Sequence, residues 1–331
     1  MNSNRRILLK QRPQGMPTPD DFAIVEAPVP ALGADEVLVR NRFLSLDPYM
    51  RGQMDGGKSY IQAIEIGDVM NGHTVGEVVE SKNAAFAPGD LVWGPGHWQE
   101  YAVLKSPPLR KITGSHSPSA WLGPMGLPGW TAYVGLFDLG APKPGETIVV
   151  SSATGAVGAL VGQLAKRYGL RTVGIAGGEA KCRYAVDELG YDVCVDYKSS
   201  DFPAALAAAC PTGVDIDFEN VGGAILDAVW PLLNSHARVI ICGLMAQYNL
   251  KTKYPGPELT HLLKSRLTIR GFIISDYAGR FPEAIAQMSA RLASGEIKIR
   301  EDITDGIENA PSAFIGMLQG RNFGKTIVRI G

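Results

Sequence analysis

The chain has 331 residues, of which 45% are hydrophobic and 20% are charged, and its formal net charge is −1. This length predicts about two domains, and the near-neutral charge without a basic stripe argues against nucleic acid as a ligand. Small molecules are therefore the expected ligands.

The N-terminal segment and the cysteines predict a soluble, cytoplasmic protein. The first apolar run is only Ile7 to Leu9, which is too short for the apolar region of a secretory signal. No apolar stretch of the sequence approaches the ~20 residues that span a bilayer, so no membrane association is expected. The four cysteines, Cys182, Cys194, Cys210 and Cys242, form no CxxC motif and are expected to be reduced.

The N-terminal third of the chain is predicted to be rich in β-strands. From Glu36 to about Leu104, short alternating segments such as EVLVRNRFLSL, DLVWG and QEYAVL are broken by Gly, Pro, Asn and Asp. Small and aromatic residues then form a helical run in GPMGLPGWTAYVGL, from Gly123 to Leu136. We place a domain boundary near this run.

Beyond Pro144 the pattern becomes strand, helix, strand. Near-continuous apolar runs are typical of strands that are buried on both faces of a parallel sheet. Six of them are present: TIVVSS, TVGIAG, DVCVDY, VDIDF, RVIICG and LTIRGFII. Crossover helices lie between them, so a doubly wound α/β sheet is the predicted architecture. The final strand, KTIVRI, has no place in that strand order and is predicted to return to the first domain.

A glycine-containing turn follows the first of these strands. Thr147 to Ser152 is the strand, Ala153 to Gly158 reads A-T-G-A-V-G, and a helix is predicted to continue to about Tyr168. Gly155 permits backbone approach to a pyrophosphate and Gly158 permits close packing of helix on strand. The N–H groups and positive dipole end of the helix face the same place. A tight strand-to-helix turn without a ligand is the simpler alternative.

The segment after the second strand indicates which dinucleotide binds. An NAD site places an acidic side chain there for the ribose hydroxyls, whereas a 2′-phosphate requires a cation instead. The sequence is A-G-G-E-A-K, ending at Lys181, so NADPH is favoured. The roles of two residues stay open. Glu179 is either a ribose-binding acid displaced by a residue or two, or a first-turn residue that only interacts favourably with the helix dipole. Lys181 is either a phosphate ligand or a solvated helix lysine.

No metal site is predicted. Zinc-dependent dehydrogenases use Cys, His, Asp or Glu ligands, and the first 181 residues contain no cysteine. His73 and Asp47 therefore lack a thiolate companion, and His73 is interpreted as a hydrogen-bonded turn residue.

Six segments in order along the chain form one set: FLSLDPYMRGQM (43–54), MGLPGWTAYVGL (125–136), SSATGAVGALVGQLAKRYG (151–169), FENVGG (218–223), ICGLMAQYN (241–249) and GRNFGKTIVRI (320–330). Together they resemble the zinc-independent medium-chain dehydrogenase/reductases. Among these proteins they are most similar to the group of prostaglandin reductases, leukotriene 12-hydroxydehydrogenases, alkenal double-bond reductases and curcumin reductases. The loop DGGKSYI (55–61) and Trp130 depart from the family pattern and leave the shape of the substrate open.

The resemblance implies a GroES-like β-barrel substrate domain at residues 1–122, an NADP-binding Rossmann domain at 123–298, and a return of the chain to the substrate domain at 299–331. It also implies a homodimer that uses NADPH to reduce the C=C bond of α,β-unsaturated ketones or aldehydes. On the family pattern the pyrophosphate is held by Gly155, Ala156, Val157 and Gly158, and the 2′-phosphate by Lys181 and Tyr197. The residues carried over to the adenosine and nicotinamide ends are Asn220, Cys242, Gly243 and the rest of the segment to Tyr248, then Phe272, Ile273, Ile274 and Asn322.

Tyr248 is the candidate catalytic residue. Hydride transfer to the β-carbon of an enone leaves negative charge on the carbonyl oxygen, and a preorganised donor stabilises that charge. A phenol, with its ordinary pKa of about 10, stays protonated at neutral pH and donates. The ribose 2′-hydroxyl of the cofactor is the second expected donor. The alternative is a loop tyrosine that packs on the cofactor and donates to a neighbouring carbonyl.

Two further tyrosines are candidates for the substrate domain, and two other functions compete with the one described above. Tyr49 and Tyr60 are candidates for the substrate pocket, although an aromatic residue in a β-domain also serves as core or interface. The rival functions are an NADPH quinone reductase of the same superfamily and a non-catalytic NADPH-binding protein.

Overall fold

The computed structural model describes residues 3–57 and 59–331. These residues form two compact units, one from Met1–Leu122 together with Glu301–Gly331 and the other from Gly123–Arg300. The two units are each built around a sheet of their own. Within the described residues, no helix is long and apolar enough to cross a membrane.

The described part of the chain contains fifteen strands. In chain order they are β1 (Asn4–Leu9), β2 (Phe22–Ala27), β3 (Val37–Ser45), β4 (Thr74–Ser81), β5 (Leu91–Gly94), β6 (Tyr101–Leu104), β7 (Arg110–Lys111), β8 (Thr147–Ser151), β9 (Arg171–Ala176), β10 (Val193–Asp196), β11 (Val214–Glu219), β12 (Leu233–Ile241), β13 (Thr268–Gly271), β14 (Glu301–Asp305) and β15 (Lys325–Arg329).

The α-helices alternate with the strands mainly in the second unit. In chain order they are α1 (Tyr49–Gln53), α2 (Leu127–Tyr133), α3 (Gly158–Arg167), α4 (Glu179–Asp187), α5 (Phe202–Ala209), α6 (Ala224–Val229), α7 (Thr260–Ser265), α8 (Phe281–Ala293) and α9 (Ala310–Leu318). A π-helical segment, Val134–Gly140, continues α2.

The first unit contains a seven-stranded sheet and a two-stranded β1–β2 ribbon. Six strands of the larger sheet follow the order β14-β15-β3-β4-β5-β7, and β6 pairs with β3. Strand β15 runs antiparallel to β3, with Val328 opposite Leu44. The last strand of the chain thus lies in the sheet of the first unit.

Aromatic and aliphatic side chains fill the core of the first unit. Trp98 is fully buried and stacks on Phe22 with ring centroids 5.9 Å apart. Phe314 of α9 meets the same indole edge-on at 5.5 Å. Offset and edge-on arrangements of this kind are favoured by the ring quadrupoles and add to the free energy of burial. The C-terminal helix and strand are thus integral to this unit.

The second unit is a doubly wound parallel sheet. Its six strands follow the order β10-β9-β8-β11-β12-β13, which reverses direction between β8 and β11. All adjacent pairs are parallel. The predicted six-stranded Rossmann sheet is confirmed, and ligands of such sheets bind beyond the carboxyl ends of the strands at the reversal point.

Helix α3 packs closely on this sheet because it carries a glycine on its inner face. A Cβ added at Gly162 would lie 2.0 Å from the ring of Tyr191. The Tyr191 hydroxyl donates a 2.7 Å hydrogen bond to the carbonyl oxygen of Gly158, at the start of the helix. The ring therefore fills the space that the glycine leaves, and it also fixes the first turn of α3.

Strand β11 carries a carboxyl group in the middle of the sheet. Asp217 is fully buried, and neither of its carboxylate oxygens has a hydrogen-bond partner in the described part of the chain. Its register neighbours are Val149 on β8 and Val239 on β12. Burial, with a contribution from Glu219, raises the pKa of Asp217 well above its ordinary value.

This burial predicts a stabilising substitution. The pKa of Asp217 is higher in the folded than in the unfolded chain, so the folded state binds the proton more tightly. The stability that Asp217 contributes is therefore present at low pH. It declines as the pH rises above the ordinary pKa of an aspartic acid. We expect Asp217→Asn to gain free energy of unfolding relative to wild type between pH 5 and pH 8. Asp217→Val should gain about 1–3 kcal/mol at pH 8. Urea unfolding at both pH values measures this. The exposed Asp187→Asn is the control, and equal pH dependence of all variants would contradict the prediction.

Candidate functional site

The turn between β8 and α3 has a tightly constrained backbone. Ser152 adopts a φ of +53°, which is rare for a residue with a side chain. Its carbonyl oxygen accepts a 2.9 Å hydrogen bond from the N–H of Gly155, and the carbonyl of Gly155 accepts from Ala159 at 3.0 Å. Ala156 and Val157 complete the turn, and both are half-buried.

Both glycines of the turn lie against Ser152, and at Gly158 a side chain would clash with backbone. A Cβ at Gly155 would lie 2.6 Å from the hydroxyl oxygen of Ser152. A Cβ at Gly158 would lie 2.3 Å from the carbonyl oxygen of the same residue. The turn thus exposes backbone N–H groups at the start of a ten-residue helix, as a bound pyrophosphate requires. The residues fit a dinucleotide phosphate.

The residues predicted to bind the 2′-phosphate follow the carboxyl ends of β9 and β10. The Tyr197 ring lies against the backbone of Gly177, where an added Cβ would be 2.8 Å from it. The same Cβ would be 3.1 Å from Cε of Lys198. Asp196 holds this loop by accepting from the N–H groups of Gly178 at 2.8 Å and Lys198 at 2.9 Å.

Three side chains in this region bear on the choice of cofactor. Lys181 is the third residue of α4 and is half-buried. Lys198 is a second cation near the end of β9, and sequence reasoning missed it although it directly follows the predicted Tyr197. Glu179 begins α4 with its side chain 82% exposed and 3.8 Å from Arg183, an arrangement that suits a first-turn acid and a helix dipole.

A buried carboxylate organises the loop after β11. Oε1 of Glu219 accepts hydrogen bonds from the N–H groups of Val221 at 2.6 Å and Gly222 at 3.0 Å, and from the Ser151 hydroxyl. Burial raises the pKa of Glu219, and these hydrogen bonds oppose that effect. Asn220 in turn donates its backbone N–H to the Ser151 hydroxyl and its Nδ2 to the Ser151 carbonyl, both at 2.7 Å. The network fixes Asn220 at the end of β8.

Glu219 and Ser151 were both missed as site residues in the sequence. The available signal was their position, since each is a polar residue at the last position of a buried strand. The hydrogen bond between them joins residues that are 68 positions apart in the chain.

The loop after β12 carries the candidate catalytic residue. The N–H groups of Cys242 and Gly243 donate to the carbonyl of Glu219 at 2.9 and 3.1 Å, which aligns this loop with the end of β11. The phenol oxygen of Tyr248 accepts a 3.3 Å hydrogen bond from the N–H of Leu244. A Cβ at Gly243 would be 3.2 Å from that oxygen. The structure therefore brings Tyr248 to the backbone of the same loop that carries Cys242, whose pKa is raised to about 12 by burial.

The segment after β13 lies beside the π-helical segment. Phe272 is close to Gly135, since a Cβ there would be 3.2 Å from the Phe272 ring. Ile273 follows, and Ile274 begins a short 3-10 helix, Ile274–Arg280. Trp130, one of the departures from the family pattern, is buried in this unit and packs edge-on against Phe281 at 5.2 Å.

The remaining predicted residues belong to the first unit. Asn322 is half-buried, and its Nδ2 donates to the carbonyl of Gly324 at 2.9 Å. Tyr49 begins α1 and is half-buried, and burial raises its pKa. Tyr60 is 62% exposed.

The polar residues considered for a metal have other contacts in the first unit. Asp47 accepts a 2.7 Å ion-paired hydrogen bond from Lys325. The His73 ring stacks on Trp93 at 4.9 Å, and its Nδ1 has no hydrogen-bond partner among the described residues. The carbonyl oxygen of His73 accepts a 2.9 Å hydrogen bond from the N–H of Ser45. Burial lowers the pKa of His73 to about 4. No group of three or more His, Cys, Asp and Glu side chains is arranged to hold a metal within residues 3–57 and 59–331.

Comparison with known proteins places this arrangement in a family. Residues 5–112 match the family model described as the N-terminal domain of oxidoreductase, and residues 156–290 match the one described as zinc-binding dehydrogenase. The chain is 49% identical to the NADPH-dependent curcumin reductase of Escherichia coli, over 99% of this chain and 97% of that protein. The chain belongs to the medium-chain dehydrogenase/reductase superfamily.

Two further relatives define its place among the medium-chain dehydrogenase/reductases. The NADP-dependent 2-alkenal reductase of Nicotiana tabacum is 38% identical over 99% of this chain and 98% of that protein. The crystal structure of CurA from Vibrio vulnificus in complex with NADPH superposes with a TM-score of 0.95 at 47% identity, covering 99% of both chains. The resemblance to the group of curcumin and alkenal reductases is confirmed.

Proposed function

We propose that this chain is an NADPH-dependent reductase of the C=C bond of α,β-unsaturated ketones or aldehydes. The observation that carries the proposal is the glycine turn between β8 and α3, where a Cβ at Gly158 would lie 2.3 Å from the carbonyl oxygen of Ser152. Its relatives named for NADPH-dependent curcumin reduction and for 2-alkenal reduction match nearly the whole chain and supply the substrate class.

Different residues of the second unit are assigned to different parts of the cofactor. Gly155, Ala156, Val157 and Gly158 present backbone N–H groups to the pyrophosphate. Lys181 and Tyr197 bind the 2′-phosphate. The ends toward adenosine and nicotinamide are lined by Asn220, Cys242, Gly243, Phe272, Ile273 and Ile274. The assignment of Asn322 to the cofactor stays a prediction.

When bound, NADPH would supply the hydride for the β-carbon of the enone, and its ribose 2′-hydroxyl would be a second hydrogen-bond donor for the carbonyl oxygen. Tyr248 stabilises the negative charge on that oxygen by donating its phenol proton in a hydrogen bond. The phenol oxygen accepts a hydrogen bond from the Leu244 N–H through one of its lone pairs, so its own proton stays available for donation. This hydrogen bond also orients the ring. Water delivers the proton to the α-carbon, so no side-chain base is needed. Tyr49 and Tyr60 are assigned to the substrate pocket of the first unit.

The test is NADPH oxidation, followed by absorbance, with a panel of enones, quinones and alcohols in the presence of EDTA. Oxidation with enones but not with alcohols, unaffected by the chelator, supports the proposal. Reaction with quinones alone would favour the quinone reductase, and NADPH binding without any turnover would favour a binding protein. The homodimer and the cytoplasmic location stay predictions.

Lys181 provides a direct test of cofactor choice. We expect Lys181→Gln to raise the Kd of NADPH about 10- to 100-fold, because a charge-assisted hydrogen bond is worth about 1.5–3 kcal/mol. The Kd of NADH should change less than about twofold, since NADH lacks the 2′-phosphate. Fluorescence titration measures both constants, and the exposed Lys143→Gln is the control. A similar loss for both cofactors would show that Lys181 supports the fold rather than the phosphate.

A further inference from the structure

Two of the four cysteines lie in contact beside the proposed 2′-phosphate site. Cys182 is in the first half of α4, Cys194 is on β10, and their thiols share a hydrogen bond. Both are half-buried and both are reduced. Neither residue takes part in the cofactor contacts proposed above.

The two thiols differ in acidity in the way that a reactive pair requires. The hydrogen bond from Cys194 lowers the pKa of Cys182, and the backbone at Ala176 acts in the same direction. The same hydrogen bond and burial raise the pKa of Cys194. A thiol with a lowered pKa is more often present as the nucleophilic thiolate.

The backbone joins this pair to the residues assigned to the 2′-phosphate. The carbonyl of Gly178 accepts from the N–H groups of both Lys181 at 3.1 Å and Cys182 at 3.2 Å. Two residues after Cys194, Asp196 accepts from the N–H of Gly178 at 2.8 Å. Movement of Cys182 toward β10 therefore moves the first turn of α4, which carries Lys181.

We propose that Cys182 and Cys194 are a peroxide-sensitive dithiol whose disulfide weakens binding of the 2′-phosphate of NADPH. A disulfide requires sulfur atoms about 2.05 Å apart, which is closer than two hydrogen-bonded thiols approach. Its formation draws the first turn of α4 and β10 together and displaces Lys181. This inference rests on the proposed function in naming NADPH, whereas the disulfide itself does not depend on it.

The oxidant is a peroxide, and the reaction balances. The Cys182 thiolate attacks one peroxide oxygen, the O–O bond breaks, and the released hydroxide takes up a proton to form water, leaving a sulfenic acid. The sulfur of Cys194 then attacks the sulfenic sulfur, the S–S bond forms, and the S–O bond breaks. The departing hydroxide takes the Cys194 proton and forms a second water. Two thiols and hydrogen peroxide thus give one disulfide and two waters, and a dithiol reductant reverses the change.

Peptide mapping tests the disulfide on the cofactor-free protein. The full chain is treated with hydrogen peroxide, its remaining thiols are alkylated, and it is digested without reductant. We expect a peptide pair that joins Cys182 to Cys194, is two hydrogens lighter than the separate peptides, and disappears after dithiothreitol. Cys182→Ser and Cys194→Ser should each abolish the pair, whereas Cys210→Ala should retain it. Absence of the pair from oxidised wild type would overturn the proposal.

Cofactor titration tests the regulatory consequence. We expect oxidation to raise the Kd of NADPH about tenfold, and the Kd of NADH by less than about twofold, because only NADPH engages Lys181 through a phosphate. Dithiothreitol should restore the NADPH affinity, and Cys182→Ser should not respond to peroxide. An unchanged NADPH affinity, or equal changes for both cofactors, would overturn the regulatory role. A reduced protein that does not bind NADPH would contradict the proposed function and the affinity effect together, while the peptide map still decides the disulfide.

Discussion

Removal of the Tyr248 hydroxyl is expected to lower kcat/KM for enone reduction about 10²-fold, which is the usual loss when one oxyanion donor is deleted. In Tyr248→Phe the ring remains beside Gly243, and only the atom that accepts from the Leu244 N–H is lost. Charge on the carbonyl oxygen develops in the transition state, so the loss should be in kcat rather than in binding. The Kd of NADPH should stay within about twofold of wild type. Steady-state kinetics with a saturating enone and a cofactor titration measure the two quantities.

A matched control is available in the next segment of the chain. Tyr254 donates its hydroxyl to Asp227 and is outside the proposed site, so Tyr254→Phe removes the same atom from a different place. It should keep nearly all of the wild-type kcat/KM. If Tyr248→Phe behaves like this control, the oxyanion role is wrong and Tyr248 only packs in its loop.

Addition of a single methyl group at Gly158 is expected to abolish measurable NADPH binding, with at least about a 100-fold rise in Kd. The Cβ of Gly158→Ala would meet three backbone atoms, at 2.3 and 2.9 Å on Ser152 and 3.2 Å on Ala153. No side-chain rotation relieves a clash with backbone, so α3 must move away from β8 and take the phosphate-binding N–H groups with it. Overpacking of this kind also costs about 1–3 kcal/mol of the free energy of unfolding. Fluorescence titration and urea unfolding measure the two effects.

Gly316 gives the control for the intrinsic effect of the substitution. It lies within α9, and a Cβ there would meet nothing within 4 Å. Gly316→Ala should therefore be neutral or stabilise the chain by roughly 0.5–1 kcal/mol, because alanine restricts the unfolded backbone. Gly158→Ala with normal NADPH affinity would show that the turn tolerates displacement of α3 and that its glycine is not needed for the phosphate.

The pattern of apolar residues along the chain was sufficient to predict the strands of the second unit. The near-continuous apolar runs predicted β8 to β13 because strands covered on both faces need no polar alternation, and the glycines of the first turn marked where a helix packs against a strand. The same reasoning predicted Lys181 as a ligand of the 2′-phosphate, from the absence of an acid at the end of β9 together with a nearby cation, and this role stays a prediction. The return of the chain through β15 followed from a strand left over after the Rossmann order was complete.

Other features depend on contacts between distant residues and have no local signal. Strand β14 reads EDITD, which is too acidic to predict as a strand, and it forms because parallel pairing with β15 satisfies its backbone. Lys198 sits near the end of β9 although its own position is after β10. The Trp130 departure from the family pattern is explained only by its packing on Phe281.

The sequence by itself determined the six strands of the doubly wound sheet, the glycine-containing turn and the family, because each is expressed in residues close together along the chain. Only the tertiary structure decided that Asp217 is buried without a partner, that Glu219 organises the loop of Asn220 through Ser151, and that Cys182 meets Cys194. The physical reason is that hydrogen bonding, desolvation and thiol reactivity depend on which atoms surround a side chain. In a parallel sheet those atoms come from strands joined by crossovers of a dozen or more residues, so they lie far from that side chain in the sequence.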